Sequence, residues 1–149
     1  MRIERNDLIF QPSEGVQCHA SHLTPLADGG VLAVWFQGSR EGADDVCIWG
    51  ARFSPDGKWS ETRRISPEDG LPHWNPVLFR RADGEILLFY KRGRTIAYWQ
   101  TMVMKSADEG KSWTEPRELV PGDEGGRGPV RNKILRLSDG SLLAPASIE

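Results

Sequence analysis

Apolar residues in this chain come in short runs, and an Asp-Gly pair stands before three of them. Asp28-Gly29 separates His22-Leu-Thr-Pro-Leu26 from Val31-Leu-Ala-Val-Trp-Phe36. Asp83-Gly84 separates Asn75-Pro-Val-Leu-Phe79 from Ile86-Leu-Leu-Phe-Tyr90, and Asp139-Gly140 separates Asn132-Lys-Ile-Leu-Arg-Leu137 from Ser141-Leu-Leu-Ala144. An Asp-Gly pair between two apolar runs predicts a β-hairpin. The runs after the turns are apolar at consecutive positions, so both faces of those strands should be buried between layers. Third strands are predicted over 46–53 and 99–105, and fourth strands over 62–65 and 117–120. No stretch carries a 3.6-residue apolar period, so the pattern predicts an all-β protein.

The pattern repeats. Asp28-Gly29, Asp83-Gly84 and Asp139-Gly140 are evenly spaced, and Trp59 and Trp113 keep the same beat. Two markers at one spacing predict repeated units, at approximately 18–66, 72–121 and 129–149. Four short antiparallel strands per unit describe a β-propeller blade. Residues 1–149 then form a single partial propeller domain of roughly two and a half blades, where a closed ring takes about four to eight. WD40 repeats are shorter and carry a Gly-His…Trp-Asp signature that is missing here. Kelch repeats leave the Ser-x-Asp segments ending in Trp59 and Trp113 unexplained. An open stack exposes apolar sheet faces, so the chain is expected to self-associate, to pair with missing C-terminal blades, or to fold poorly.

Composition narrows the function classes. The net charge of −2 argues against nucleic acid and anionic membranes as partners. The segment Met1-Arg-Ile-Glu-Arg-Asn-Asp7 has no apolar stretch and does not read as a secretory signal, so a cytoplasmic location is expected. Cys18 and Cys47 form no disulfide framework and are read as reduced thiols. No Cys/His spacing suits zinc. The loop Gly122-Asp-Glu-Gly-Gly-Arg-Gly128 lacks the lysine of a phosphate loop and reads as a connection between units. Neither a metal nor a cofactor is expected.

Hairpin geometry places the candidate chemistry. The start of a hairpin's first strand lies beside the end of its second, opposite the turn. The starts carry His22, Asn75, Arg131, Asn132 and Lys133; the ends carry Arg40, Lys91, Arg94 and Glu149. Polar residues therefore gather at one end of every hairpin, around one mouth of the stack, where a binding site is expected. Asp44 and Asp45, in the acidic loop 41–45, are the candidate general acids; the plain alternative is a solvated loop with a surface ion pair. His22 is a candidate base or ligand partner, against a structural role. Trp74 and Trp99 are core aromatics or sugar-stacking platforms. Asp56 and Asp108 are read as holding their own turns through Asx-type bonds.

Ser106-Ala-Asp108-Glu-Gly110-Lys-Ser-Trp113 resembles the Asp-box, and Ser54-Pro-Asp56-Gly57-Lys-Trp59 is a shorter copy. With these motifs in register with the hairpins, and with Asn75-Pro76 in the second unit, the chain resembles the sialidase superfamily, specifically bacterial sialidase-like proteins with BNR/Asp-box repeats. The resemblance covers about Cys18 to Glu149. It implies a glycoside hydrolase, exo-acting on a terminal sugar (sialic acid or another acidic or deoxy sugar), with the present chain incomplete and inactive alone. It places Arg40 at a family arginine and Asp44 or Asp45 at the general acid. His22 stands near the place of the family's carboxylate-gripping arginine, which is missing. The family's nucleophilic tyrosine and its glutamate partner come from later blades, and Tyr90 and Tyr98 match neither. The alternative is a non-catalytic carbohydrate-binding or interaction propeller.

Overall fold

The structure, a computed structural model, describes residues 6–146. Strands β1 (Gln17–Pro25), β2 (Val31–Gly38), β3 (Cys47–Phe53) and β4 (Arg63–Arg64) form one antiparallel sheet in chain order. Strands β5 (His73–Arg80), β6 (Ile86–Arg92), β7 (Gln100–Ser106) and β8 (Arg117–Glu118) form a second with the same order. Strands β9 (Leu135–Arg136) and β10 (Leu142–Leu143) pair as a short ribbon. The described sheets do not close into a ring.

The three Asp-Gly turns share one hydrogen-bond pattern. Asp28, Asp83 and Asp139 each accept, through Oδ1, the backbone N–H two positions on, at 2.9, 3.1 and 2.9 Å. The glycines that follow have φ of +85°, +92° and +86°. Each turn is a short hairpin loop with its glycine in the left-handed region, which matches the right-handed twist of the flanking strands.

Alternation along β6 sets the layering. Ile86, Leu88 and Tyr90 face the first sheet and pack with Leu32, Val34, Phe36, Val46 and Ile48. Leu87 and Phe89 face the other way and pack with Val77, Val103 and Ile134. The second sheet is thus apolar on both faces, as its unbroken run requires. The outer face of the first sheet (Ala33, Trp35, Ala51) is covered in part by Ile9 and Phe10, with Phe10 stacked on Trp35 at 5.3 Å between ring centroids. Among the described residues the ladder of the third hairpin pairs Leu135 with Leu143 and Arg136 with Leu142, the Val130 N–H donates to the Pro145 carbonyl at 3.2 Å, and Leu135, Leu142 and Leu143 are exposed; a lone two-stranded ribbon gains little from its own contacts.

A polar tie joins the sheets between β4 and β5. The Ser66 hydroxyl receives the Ile48 N–H at 2.8 Å and lies 2.8 Å from His73 Nδ1, while His73 Nε2 stands 3.4 Å from Asp69. Ser66 and His73 are buried, so this Ser–His–Asp grouping serves structure and is closed to a substrate. Burial holds the His73 pKa below its ordinary value, against the pull of Asp69. Among the described residues no helix is long and apolar enough to cross a membrane.

Candidate functional site

The backbone turns left-handed at the same place in each unit. Ala20, Asn75 and Arg131 have φ of +52°, +47° and +60°, the left-handed region that side chains with a Cβ rarely occupy. Each of the three stands eight or nine positions before the glycine-bearing turn of its own unit, so the left-handed position recurs with the repeat. Pairing slips between His19 and His22 in β1 and between Trp74 and Val77 in β5. Pro76 has no N–H for the ladder and sits at the second slip, where a strand tolerates proline. Each left-handed non-glycine residue costs about 1–3 kcal/mol, and such strain clusters where side chains must be re-aimed.

All three strained residues line one cleft of about 350 Å³, together with His19, Ser21, Phe36, Glu41 and Pro76. The cleft lies at the end of the hairpins opposite the Asp-Gly turns, since Gln17 pairs with Gly38 and Pro25 with Val31. His19 Nε2 and Glu41 Oε2 are 4.0 Å apart, and the imidazole leans on Phe36 at 5.5 Å. The Gln17 side-chain oxygen accepts the Glu41 N–H at 2.6 Å, fixing that end of the loop to β1. An imidazole, a carboxylate, a guanidinium and a carboxamide thus converge beside an aromatic wall, which suits a polyhydroxylated ligand with one apolar face.

Of the residues singled out in the sequence, Asn75 and Arg131 line this cleft. Arg40 is exposed at the tip of the neighbouring loop. Asp44 forms an ion pair with Arg94 at 2.8 Å, and Arg94 also donates to the Gly70 carbonyl at 3.0 Å. Asp45 accepts both the N–H and the hydroxyl of Ser39 at 3.0 Å and closes its own loop. His22 is buried on the face toward the second sheet, where Nδ1 accepts the Leu78 N–H at 3.2 Å. Burial first, and nearby Lys133 second, lower its pKa to about 4, so the ring is neutral at pH 7. Lys133 donates to the Leu23 carbonyl at 3.0 Å, and Asn132 is exposed. Glu149 lies outside the described residues.

Lys91 is fully buried. Its ammonium donates to Thr101 Oγ1 and the Gly126 carbonyl at 2.7 Å, to the Arg127 carbonyl at 2.9 Å and to the Gly128 carbonyl at 3.4 Å. It anchors the glycine-rich loop that leads to Arg131. Burial lowers its pKa to about 8. The rings of Trp74 and Trp99 meet at a tilt, 5.4 Å between centroids, and both indoles donate to the Gly93 carbonyl. Trp74 also packs against Phe36 and lies under Gly42, so it supports the loop that carries Glu41.

Of the titratable residues of the cleft, His19 and Glu41 were not read as site residues from the sequence. Glu41 belongs to the acidic loop already under suspicion. Nothing in the sequence marks His19, because the bulge that re-aims this strand rests on the left-handed Ala20.

The family described as BNR repeat-like domain matches residues 29–149. No curated protein matches the chain. Among solved structures it is similar to a protein of unknown function from Dyadobacter fermentans (15% identity, TM-score 0.67, 87% of this chain and 46% of that one). It is also similar to a Hadza microbial sialidase (18%, 0.65, 84% and 31%). A third is a family 117 glycoside hydrolase of the marine bacterium Zobellia galactanivorans (13%, 0.62, 87% and 48%). The chain spans less than half the length of each of the three. At these identities the likeness establishes a glycosidase-like fold.

Proposed function

The chain belongs to the BNR repeat-like domain family, and from that premise we propose that its cleft binds a terminal sugar as part of a sialidase-like glycoside hydrolase. The observation that carries the proposal is the meeting of three strained residues, one from each unit, in a single polar cleft. In this reading the two four-stranded sheets are blades of a propeller, and the cleft opens at one mouth of its axis. Arg131 and Asn75 bind carboxylate or hydroxyl groups of an acidic or deoxy sugar, and Phe36 meets the sugar's apolar face. The general acid comes from the loop 39–45. Glu41 is placed first because it lines the cleft, whereas Asp44 and Asp45 already serve Arg94 and Ser39. It would protonate the leaving glycosidic oxygen as the glycosidic C–O bond breaks and water adds to the sugar.

A carbohydrate-binding module without turnover is the second reading. It is favoured by the commitment of Asp44 and Asp45 to other partners. A glycan array followed by a hydrolysis assay on the bound glycans separates the two. Turnover abolished by Glu41→Gln, with binding retained, supports the enzyme. Binding with no turnover, unaffected by Glu41→Gln, supports the module. Failure of the parent protein to bind any glycan would overturn both.

A further inference from the structure

The turn Ser106–Trp113 is clasped by the first sheet. The Glu109 carboxylate accepts the Ala27 N–H at 3.0 Å and Arg80 Nη2 at 3.1 Å. Arg52 donates to the Glu109 carbonyl at 2.7 Å, and Arg63 donates to the carbonyls of Gly110 and, at 2.6 Å, Lys111. Gly110 rides directly over Leu32: a Cβ there would stand 2.8 Å from a Leu32 methyl. The clasp therefore needs five parts: a backbone N–H in the hairpin turn, a leucine beneath, one cation on the third strand, one on the fourth, and an arginine from the following unit.

All five recur one unit later. Ala82 stands just before Asp83-Gly84 as Ala27 stands just before Asp28-Gly29, and Leu87 holds the place of Leu32 in the next unit. Arg52 is paired with Leu32, and Lys105 is paired with Leu87. Arg63 is paired with Gly50 and Arg117 with Val103, the matching rungs of the two sheets. Arg136 holds on β9 the place that Arg80 holds on β5, shortly before the Asp-Gly turn. Ala82, Leu87 and Arg136 line a cleft of about 370 Å³ between the second sheet and the third hairpin. Among the described residues the guanidinium groups of Arg117 and Arg136 make no ion pair, and the Lys105 ammonium reaches only Glu85, at 3.7 Å. Asp83 in this copy does not argue against an acidic occupant, because Asp28 holds the same place beside Arg52 in the filled copy.

We infer that this second clasp is a docking site for another turn of the Ser106–Trp113 type, with an acidic residue and then a glycine at its tip, supplied by the unit that carries Arg136, as Ser106–Trp113 is supplied by the unit that carries Arg80. The acidic side chain meets Ala82 N–H and Arg136. The tip carbonyls meet Lys105 and Arg117. Glycine is required where the tip crosses Leu87. The surface therefore selects the next repeat by charge and by shape, and it does so independently of what the sugar-binding cleft does.

The test is an NMR titration of the intact chain with a disulfide-closed peptide carrying Ser-Ala-Asp-Glu-Gly-Lys-Ser-Trp. The titration runs to about 10 mM, since a tethered segment acts at millimolar effective concentration. The inference expects a saturable shift of the Ala82 amide. It expects at least about fivefold weaker binding when the peptide glutamate becomes glutamine, and similar weakening with Arg117→Ala or Arg136→Ala. Both arginines are exposed, so these variants keep the fold, which an unchanged remainder of the spectrum verifies. No shift at Ala82 across the titration, or equal affinity for the glutamine peptide, would overturn the inference. So would a shift that follows the concentration of the protein itself, which would identify a second copy as the occupant.

Discussion

Replacing Gly110 by alanine tests how tightly the second unit's turn is seated on the first sheet. Two costs arise. Alanine at a φ of +79° is disfavoured by about 1–2 kcal/mol, partly offset by about 0.4–1 kcal/mol from the stiffer unfolded chain. The new methyl would also lie 2.8 and 3.3 Å from the two methyls of Leu32, a buried member of the main core. Overpacking of that kind costs about 1–3 kcal/mol. Gly29 is the internal control, since its φ is +85° and nothing lies within 4 Å of its added Cβ. Gly29→Ala carries the backbone cost alone. The gap between the two variants is therefore about 1–3 kcal/mol. In urea unfolding, with m near about 2 kcal/mol/M, their midpoints separate by about 0.5–1.5 M. Equal midpoints would refute the seating of this turn on Leu32, and with it the geometric basis of the second clasp.

Other consequences are as direct. His22 has its pKa lowered from 6.5 to about 4 by burial, so the unfolded chain binds a proton there before the folded one does; stability should fall by up to about 3 kcal/mol as pH drops from 6.5 to 4, and His22→Leu should flatten that slope in acid titrations followed by circular dichroism. Lys91, lowered from 10.5 to about 8, should make stability rise between those pH values, and Lys91→Met should remove the rise. The same variant takes the ammonium away from three carbonyls, of which that of Arg127 keeps the Thr101 hydroxyl, so amides of residues 122–128 should exchange faster by hydrogen-exchange NMR; unchanged exchange would contradict the anchoring role. Glu109→Gln should cost about 1–2 kcal/mol by weakening charged hydrogen bonds to Ala27 and Arg80, and a wild-type midpoint would contradict the clasp.

The architecture was legible because its signals are local. An Asp-Gly pair fixes a turn, and the apolar runs of 31–36 and 86–90 show two buried faces without any tertiary knowledge. The hairpin reading also put the polar ends opposite the Asp-Gly turns, and a cleft lies at that end of the hairpins. The left-handed positions were not legible, since Ala20 and Arg131 carry no preference for that region and take it only because the surrounding structure imposes it. That single unreadable feature separated His19, which reaches the cleft, from His22, which turns into the sheet interface. Lys91 looked like a mouth residue by position, but its position in the strand says nothing of the carbonyls that loop 122–128 brings to it. Ile9 and Phe10 form too short a run to announce that they cover Trp35. The third hairpin was read over 132–144, but among the described residues its ladder joins just 135–136 with 142–143, because sequence pattern gives a strand's length and neighbours decide how much of it pairs.

The central claim is that three repeats build one sugar-binding cleft. The most direct test is an NMR titration of the chain with N-acetylneuraminic acid, glucuronic acid and fucose, following the amides of Ala20, Asn75 and Arg131. The account predicts that at least one of these sugars shifts all three with a single dissociation constant, and that Arg131→Ala weakens the acidic sugars most. Shifts that titrate separately, or three silent amides with every sugar, would contradict it.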